Sequence, residues 1–180
     1  MAVTILGLLR ERPMHPYEMY SVLHERHKEW FVKLRPGSLY HTVARLDRDD
    51  LIRAIGTDRN GARPERTTYE LTPAGASAMT DWVRDSLSDP AQDYPEFPVA
   101  IAEAHNLESA EVVELLAVHQ ASIEGEIELL ESTIDDAHEH DWTEAYWFVT
   151  EYLLAMRRAE HDWLTTVIRR LEAKEISWPR

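Results

Sequence analysis

Val112, Leu116, His119, Ile123, Ile127, Leu130 and Ile134 recur at spacings of 4, 3, 4, 4, 3 and 4. Apolar residues kept at that near-heptad period run along one side of a single long α-helix, and such a helix is stable only when another helix covers the row. The remaining positions are rich in carboxylates: Glu108, Glu111, Glu114, Glu124, Glu126, Glu128 and Glu131. After the turn His138-Glu139-His140-Asp141, a last long helix is predicted from about Thr143, carrying Tyr146, Val149, Leu153, Met156, Trp163, Val167 and Leu171. A second row, Trp147, Leu154, Leu164 and Ile168, widens its apolar face, and a face that wide needs two neighbours. One of them would be the same helix of a second subunit. Leu116, Ile123, Ile127, Leu130, Leu153, Met156, Trp163 and Val167 are therefore the expected homodimerisation residues.

The acidity of this part dominates the chain, whose 33 acidic and 19 basic side chains give a formal net charge of −14. Up to Thr80 there are 12 Lys/Arg against 10 Asp/Glu, and beyond it 7 against 23, so a near-neutral first part is joined to a second part of charge −16. Residues 33–66 are locally +3. An acidic surface repels phosphate, which argues against nucleic acid as a partner, but the distribution confines that argument to the second part.

At 180 residues and 44% apolar, the chain suits one large domain or two small ones, and disordered, collagenous and disulfide-scaffold classes are excluded. Without cysteine there is no disulfide and no thiol nucleophile, which fits a reducing cytoplasm, the expected location. The stretch from Ala2 to Leu9 has no basic segment before it and runs into Arg10, Glu11 and Arg12, so it reads neither as a signal peptide nor as a membrane span. No cofactor and no membrane partner are expected.

The first part is punctuated by prolines. A short buried helix from Val3 ends before Pro13, and Pro16 opens a second helix that runs to about His27. Arg35-Pro36-Gly37 breaks the chain, and Ser38 is placed to cap a third helix with Leu39, Val43 and Leu46 on one face and Ser38, His41, Thr42, Arg45 and Arg48 on the other. Two β-favouring segments, Leu51 to Thr57 and Arg66 to Thr72, flank Asn60-Gly61 and read as a β-hairpin. Pro73 starts a helix to about Leu87, and the two prolines that follow mark a linker. The expected division is 1–87, 88–96 and 97–180. The fold class is mainly α with a small β-hairpin: an N-terminal winged helix-turn-helix domain followed by a C-terminal long-helix dimerisation domain.

Three helices and a hairpin in that order place the third helix in the major groove of DNA. Ser38 and Tyr40 carry hydroxyls suited to phosphate, while His41, Thr42 and Arg45 would reach base edges, Arg45 being suited to guanine. Arg48 extends the basic face, and Arg59, Asn60 and Arg63 on the hairpin would meet a neighbouring phosphate or the minor groove. Two such domains in a dimer would meet half-sites of an inverted repeat about 34–36 Å apart.

The residues also resemble a family. Arg35-Pro36-Gly37-Ser38-Leu39-Tyr40, Arg45-Leu46-Asp47, Leu51-Ile52, and then Arg66, Tyr69, Leu71-Thr72 and Gly75 are similar in order and spacing to the signature of PadR-family transcriptional regulators. His15-Pro16-Tyr17-Glu18-Met19 resembles that family's Gly-Tyr-Glu segment. The resemblance covers 1–87 closely, and the acidic helices look like the longer branch, whose C-terminal helices form the dimer. It implies a dimeric repressor that binds an inverted-repeat operator in double-stranded DNA and is released by a small aromatic or lipophilic inducer. It adds Tyr17, Arg35 and Arg66 to the DNA-binding set, and it makes Trp82, Trp142, Trp147 and Trp163 candidates for an effector pocket. Asp50 stands where the family has a glycine at the helix end, a left-handed position that Asp tolerates better than most residues. His15-Pro16 and His41-Thr42 are further departures.

Enzyme motifs are missing. His24-Glu25-Arg26-His27 sets its two histidines at i, i+3, one residue short of a zinc-protease helix, and the chain has no Gly-rich phosphate loop or nucleophile elbow. His138 and His140 read as turn residues, with no metal expected, and His119 as a core or interface histidine. The alternative function is a protein-interaction adaptor that works through the acidic helices and binds little DNA.

Overall fold

Helix α1 (Ala2–Glu11) buries Ile5, Leu6, Leu8 and Leu9, each at most 4% exposed. It belongs to a computed structural model that describes residues 1–58, 66–89 and 95–179. The chain divides into two units, Met1–Asp93 and Tyr94–Arg180.

In the first unit, α2 (Pro16–Glu25) starts on Pro16, whose missing N–H would be unpaired there anyway. The His15 imidazole caps it, Nδ1 accepting the Glu18 N–H at 3.0 Å. The helix ends at Glu25, two residues before the expected His27, because His27 adopts a left-handed conformation (φ 51°) and a single 3₁₀ turn, Lys28–Trp30, follows. α3 (Pro36–Arg48) buries Leu39, Val43 and Leu46 against α1 and α2. Ser38, expected to cap α3, lies inside its first turn. Pro36 takes the first helical position, which puts Arg35 at the cap with no side-chain bond.

Asp50 ends α3 with φ 55°, in the left-handed conformation that its place in the sequence requires. The Leu51 N–H then reaches back to the Leu46 carbonyl at 2.9 Å. Strands β1 (Ile52–Asp58) and β2 (Arg66–Leu71) are antiparallel, with Ile52 opposite Leu71 and Arg53 opposite Glu70, whose side chains form an ion pair. A register shift between Ala54 and Gly56 makes Ile55 a bulge, a feature absent from the alternating pattern. Asn60-Gly61 and Pro64 lie outside the described residues. Met14 adds a short third edge: its N–H donates to the Tyr69 carbonyl at 3.1 Å and its carbonyl accepts the Tyr69 N–H at 3.0 Å.

α4 (Pro73–Ser88) is capped by Thr72, whose hydroxyl accepts the Gly75 N–H at 3.1 Å and donates to the Asp50 carbonyl at 2.8 Å. A side chain at position 75 would overlap the Leu51 carbonyl, so the close approach of α4 to the end of α3 needs glycine.

In the second unit, α5 (Glu96–Glu103) is a short helix within a stretch that the sequence pattern left unassigned. α6 (Ser109–Glu139) runs for 31 residues, about 46 Å at the usual rise, and packs along α7 (Phe148–Glu172). Val112, Ile123, Leu130 and Ala137 of α6 and Leu154, Leu164 and Leu171 of α7 form the buried seam. α7 starts at Phe148 rather than Thr143. Glu144–Tyr146 form a 3₁₀ turn, and the buried Trp147, whose indole N–H donates to the Trp142 carbonyl at 3.2 Å, holds the chain short of the helix. Two ion pairs bridge the helices, Arg157 to Glu126 at 2.7 Å and Arg158 to Glu131 at 2.6 Å, and the His161 ring lies 3.1 Å from Glu124. Burial lowers the Arg157 pKa, but Glu126 and Glu160 more than offset it, so the net shift is upward. Among the described residues, no helix is long and apolar enough to cross a membrane.

Two outcomes follow from this packing. Leu39 is fully buried and Tyr40 half exposed, so Leu39→Ala lowers the unfolding free energy in urea by about 2–5 kcal/mol. Tyr40→Phe changes it by less than about 0.5 kcal/mol. Arg26 grips Glu11 with two hydrogen bonds, of 2.5 and 2.8 Å, and that bonding holds the Glu11 carboxyl below its ordinary pKa. The pair therefore contributes stability above the ordinary carboxylate range and loses it as pH falls through the depressed value. Thermal unfolding of Glu11→Gln across acid pH is expected to lie below the wild type near neutrality and to converge with it in acid.

Candidate nucleic-acid interface

Because Leu39, Val43 and Leu46 are sunk in the core, helical geometry turns Ser38, His41, Arg45 and Arg48 outward, and all four are exposed. Thr42 lies at the side of that face, half-buried, and its hydroxyl donates to the Ser38 carbonyl at 2.7 Å, so it is engaged within the helix. Tyr40 is exposed on the opposite flank. Arg48 lies 3.6 Å from Asp49. Arg45 acts on the Met1 amine: burial first, and then repulsion from the Arg45 guanidinium, lower that amine's pKa.

A second group gathers at the start of α2. Tyr17 is 63% exposed, and the Arg66 guanidinium at the head of β2 lies 5.6 Å from its ring centre. The Met14–Tyr69 pairing brings these two elements together by fixing the chain that enters α2 beside β2. Arg35 is exposed at the α3 cap position. Arg59, Asn60 and Arg63 lie outside the described residues. The Tyr69 phenol, half-buried behind this surface, has its pKa raised by burial and then by the Asp47 carboxylate.

The residues expected at a dimer surface divide. Ile123 and Leu130 are 2% and 5% exposed, committed to α7 of the same chain, and Leu116, Ile127, Leu153 and Val167 are half-buried. Of the near-heptad row, Val112, Ile123 and Leu130 are thus buried within one chain, while Leu116, His119, Ile127 and Ile134 keep part of their surface. Met156 and Trp163 remain exposed on α7, in line with Phe148 and Tyr152. On α6, Leu115, Val118 and Leu129 are exposed, and with Ser122 and Gly125 they form a second row at spacings of 3, 4, 3 and 4. That row was visible in the sequence, interleaved with the first, but Ser122 and Gly125 hid it from a search for large apolar residues.

The three candidate tryptophans of the second unit do not all converge on one another. Trp82 is exposed on α4 in the first unit. In the second, Trp142 and Trp147 meet at the α6–α7 turn, where His138 sits edge-on to Trp147 at 4.9 Å. Trp163 is about 24 Å further along α7, edge-on to Phe97 of α5, which stacks flat on His119 at 4.2 Å. His119 also pairs with Glu160 at 3.1 Å, so it is an interhelical residue of the second unit. Among the described residues, no group of three or more His, Cys, Asp or Glu could hold a metal ion.

The Transcriptional regulator PadR-like family matches over residues 5–81. No curated protein sequence matches the chain. Among solved structures, Bacillus subtilis PadR in complex with operator DNA superposes with a TM-score of 0.78 at 19% identity, over 94% of this chain and 98% of that one. The same Bacillus subtilis protein in complex with p-coumaric acid gives 0.77 at 17% identity, over 94% and 97%. The Vibrio cholerae virulence activator AphA gives 0.74 at 15% identity, over 97% and 99%. Residues 5–81 match the PadR-like family of transcriptional regulators, and along nearly its whole length the chain shares the fold of the PadR and AphA structures.

Proposed function

We propose that the protein is a dimeric transcriptional repressor that reads an inverted repeat with two copies of α3 and is released by a small aromatic or lipophilic ligand. The observation that carries this reading is the division of α3 into a core-locked apolar face and an exposed face of Ser38, His41, Arg45 and Arg48. A rigidly seated helix with outward donors suits the major groove, since base readout needs side chains held in register. Tyr17, Arg35 and Arg66 would set that register through phosphates. The local charge of +3 over residues 33–66 fits a modest phosphate contact, which a dimer doubles.

The dimer surface is assigned to the exposed stripe of α7, Phe148, Tyr152, Met156 and Trp163, with Leu115, Val118 and Leu129 of α6. An apolar stripe of this length is unfavourable in water and favours a second copy, because both partners bury the same side chains. The ligand class rests on the family and on the likeness to Bacillus subtilis PadR bound to p-coumaric acid.

Selection of duplexes from a random-sequence pool by the purified protein tests the reading. The expected product is an inverted repeat with half-sites about one helical turn apart. Arg45→Ala is expected to relax base choice at one position per half-site and to weaken binding by about 1–3 kcal/mol. Tyr152→Asp should shift sedimentation equilibrium toward the monomer. A pool that yields no enriched duplex at low salt would overturn the repressor reading in favour of an adaptor that works through the acidic helices.

A further inference from the structure

We infer that His15 is a two-sided residue of the DNA surface: its Nδ1 caps α2, while its Nε2–H donates to a duplex phosphate beside Tyr17. This rests on the DNA-binding reading above, and it adds a contact that neither the basic patch nor the third helix contains.

The main chain holds His15 on both sides. Met14 is paired through both its N–H and its carbonyl with Tyr69 of β2, and Pro16 is locked into the first helical position. The ring is fixed as well, because Nδ1 accepts the Glu18 N–H at 3.0 Å. An Nδ1 that accepts carries no hydrogen, so the ring proton of the neutral imidazole is on Nε2, across the ring from the cap. The half-buried ring lies 6.3 Å from the exposed Tyr17 ring, which carries the Arg66 guanidinium 5.6 Å from its centre. Imidazole N–H, phenol O–H and guanidinium thus form a row of three donors. The nearest carboxylate of α2, Glu18, is bound by Arg12 at 2.5 Å. A row of donors on a rigid frame fits the oxygens of a nucleic-acid backbone, which accept hydrogen bonds and carry no base information. His15 would fix the angle at which α2 meets that backbone.

Capping and contact are separable. His15→Ser keeps a strong capping oxygen and removes the ring, whereas His15→Ala removes both. With the full chain and the duplex enriched by selection, the Ser variant is expected to unfold at the wild-type temperature and to bind about three- to tenfold more weakly. Because a neutral donor displaces no counterion, its slope of log affinity against log salt should match the wild type. The loss should be equal on a duplex with a mismatched half-site. The Ala variant should show the same loss together with a lower unfolding temperature. His15→Asn repeats the comparison with a second capping side chain, and its temperature and slope should follow those of Ser.

Wild-type affinity in the Ser variant would overturn the contact and leave His15 as a cap alone. A loss confined to the matched duplex would overturn the phosphate assignment by placing the ring on a base edge. If the wild-type protein enriches no duplex, the DNA reading fails, and the inference with it, before any variant is compared.

Discussion

The first unit closes at the contact between the end of α3 and the start of α4. Asp50 turns the chain through a left-handed conformation, and its carbonyl accepts the Thr72 hydroxyl, which itself caps α4 by accepting the Gly75 N–H. The Thr72 N–H donates to the Leu51 carbonyl at 3.2 Å, against which position 75 leaves no room for a side chain. Ile52 then pairs with Leu71, so this junction sets where the hairpin begins and which way it leaves the core. The orientation of α3 depends on it. With the helix pinned at its C-terminal end and its apolar face seated on α1 and α2, the outward direction of Arg45 and Arg48 follows from helical geometry.

Charge is handled differently in the two units. In the second, the carboxylates of α6 meet the basic side chains of α7 across the seam, as in Arg157 with Glu126 and Arg158 with Glu131. Exposed pairs of this kind are individually weak, because water screens them. Their effect is on register, since each pair fits only one sliding position of α6 against α7. In the first unit, Arg26 and Arg12 are spent on Glu11 and Glu18, while Arg45 and Arg48 remain on the outer face of α3. The acidic second unit and the basic outer face of α3 are therefore parts of one division of charge, and the net value of −14 describes neither.

Much of this was legible in the residues. Prolines at 16, 36 and 73 mark the first turns of three helices, and Leu39, Val43 and Leu46 identify the buried side of α3 before any contact is known. Other features escaped because they depend on partners distant in sequence. The bulge at Ile55 is a property of pairing with β2, and the Met14–Tyr69 edge joins residues with no local pattern in common. Ser38 has the chemistry of a cap, but Pro36 claims the first helical position and moves the cap to Arg35. His15 caps α2 instead, a role for which imidazole is not a usual candidate.

The sequence by itself determined the order and kind of the main helices and of the hairpin, and the inner and outer faces of α3. Periodicity and turn chemistry are local, and they survive without knowledge of what lies opposite. Only the tertiary structure decided which apolar row each long helix spends within its own chain. Two rows compete on α6, and the one with Ile123 and Leu130 is covered by α7, which leaves Leu115, Val118 and Leu129 in water. The choice depends on which side of α6 the α6–α7 turn delivers the returning helix. Trp147 holds that turn by a hydrogen bond to Trp142, at a distance in space that no spacing along α6 encodes.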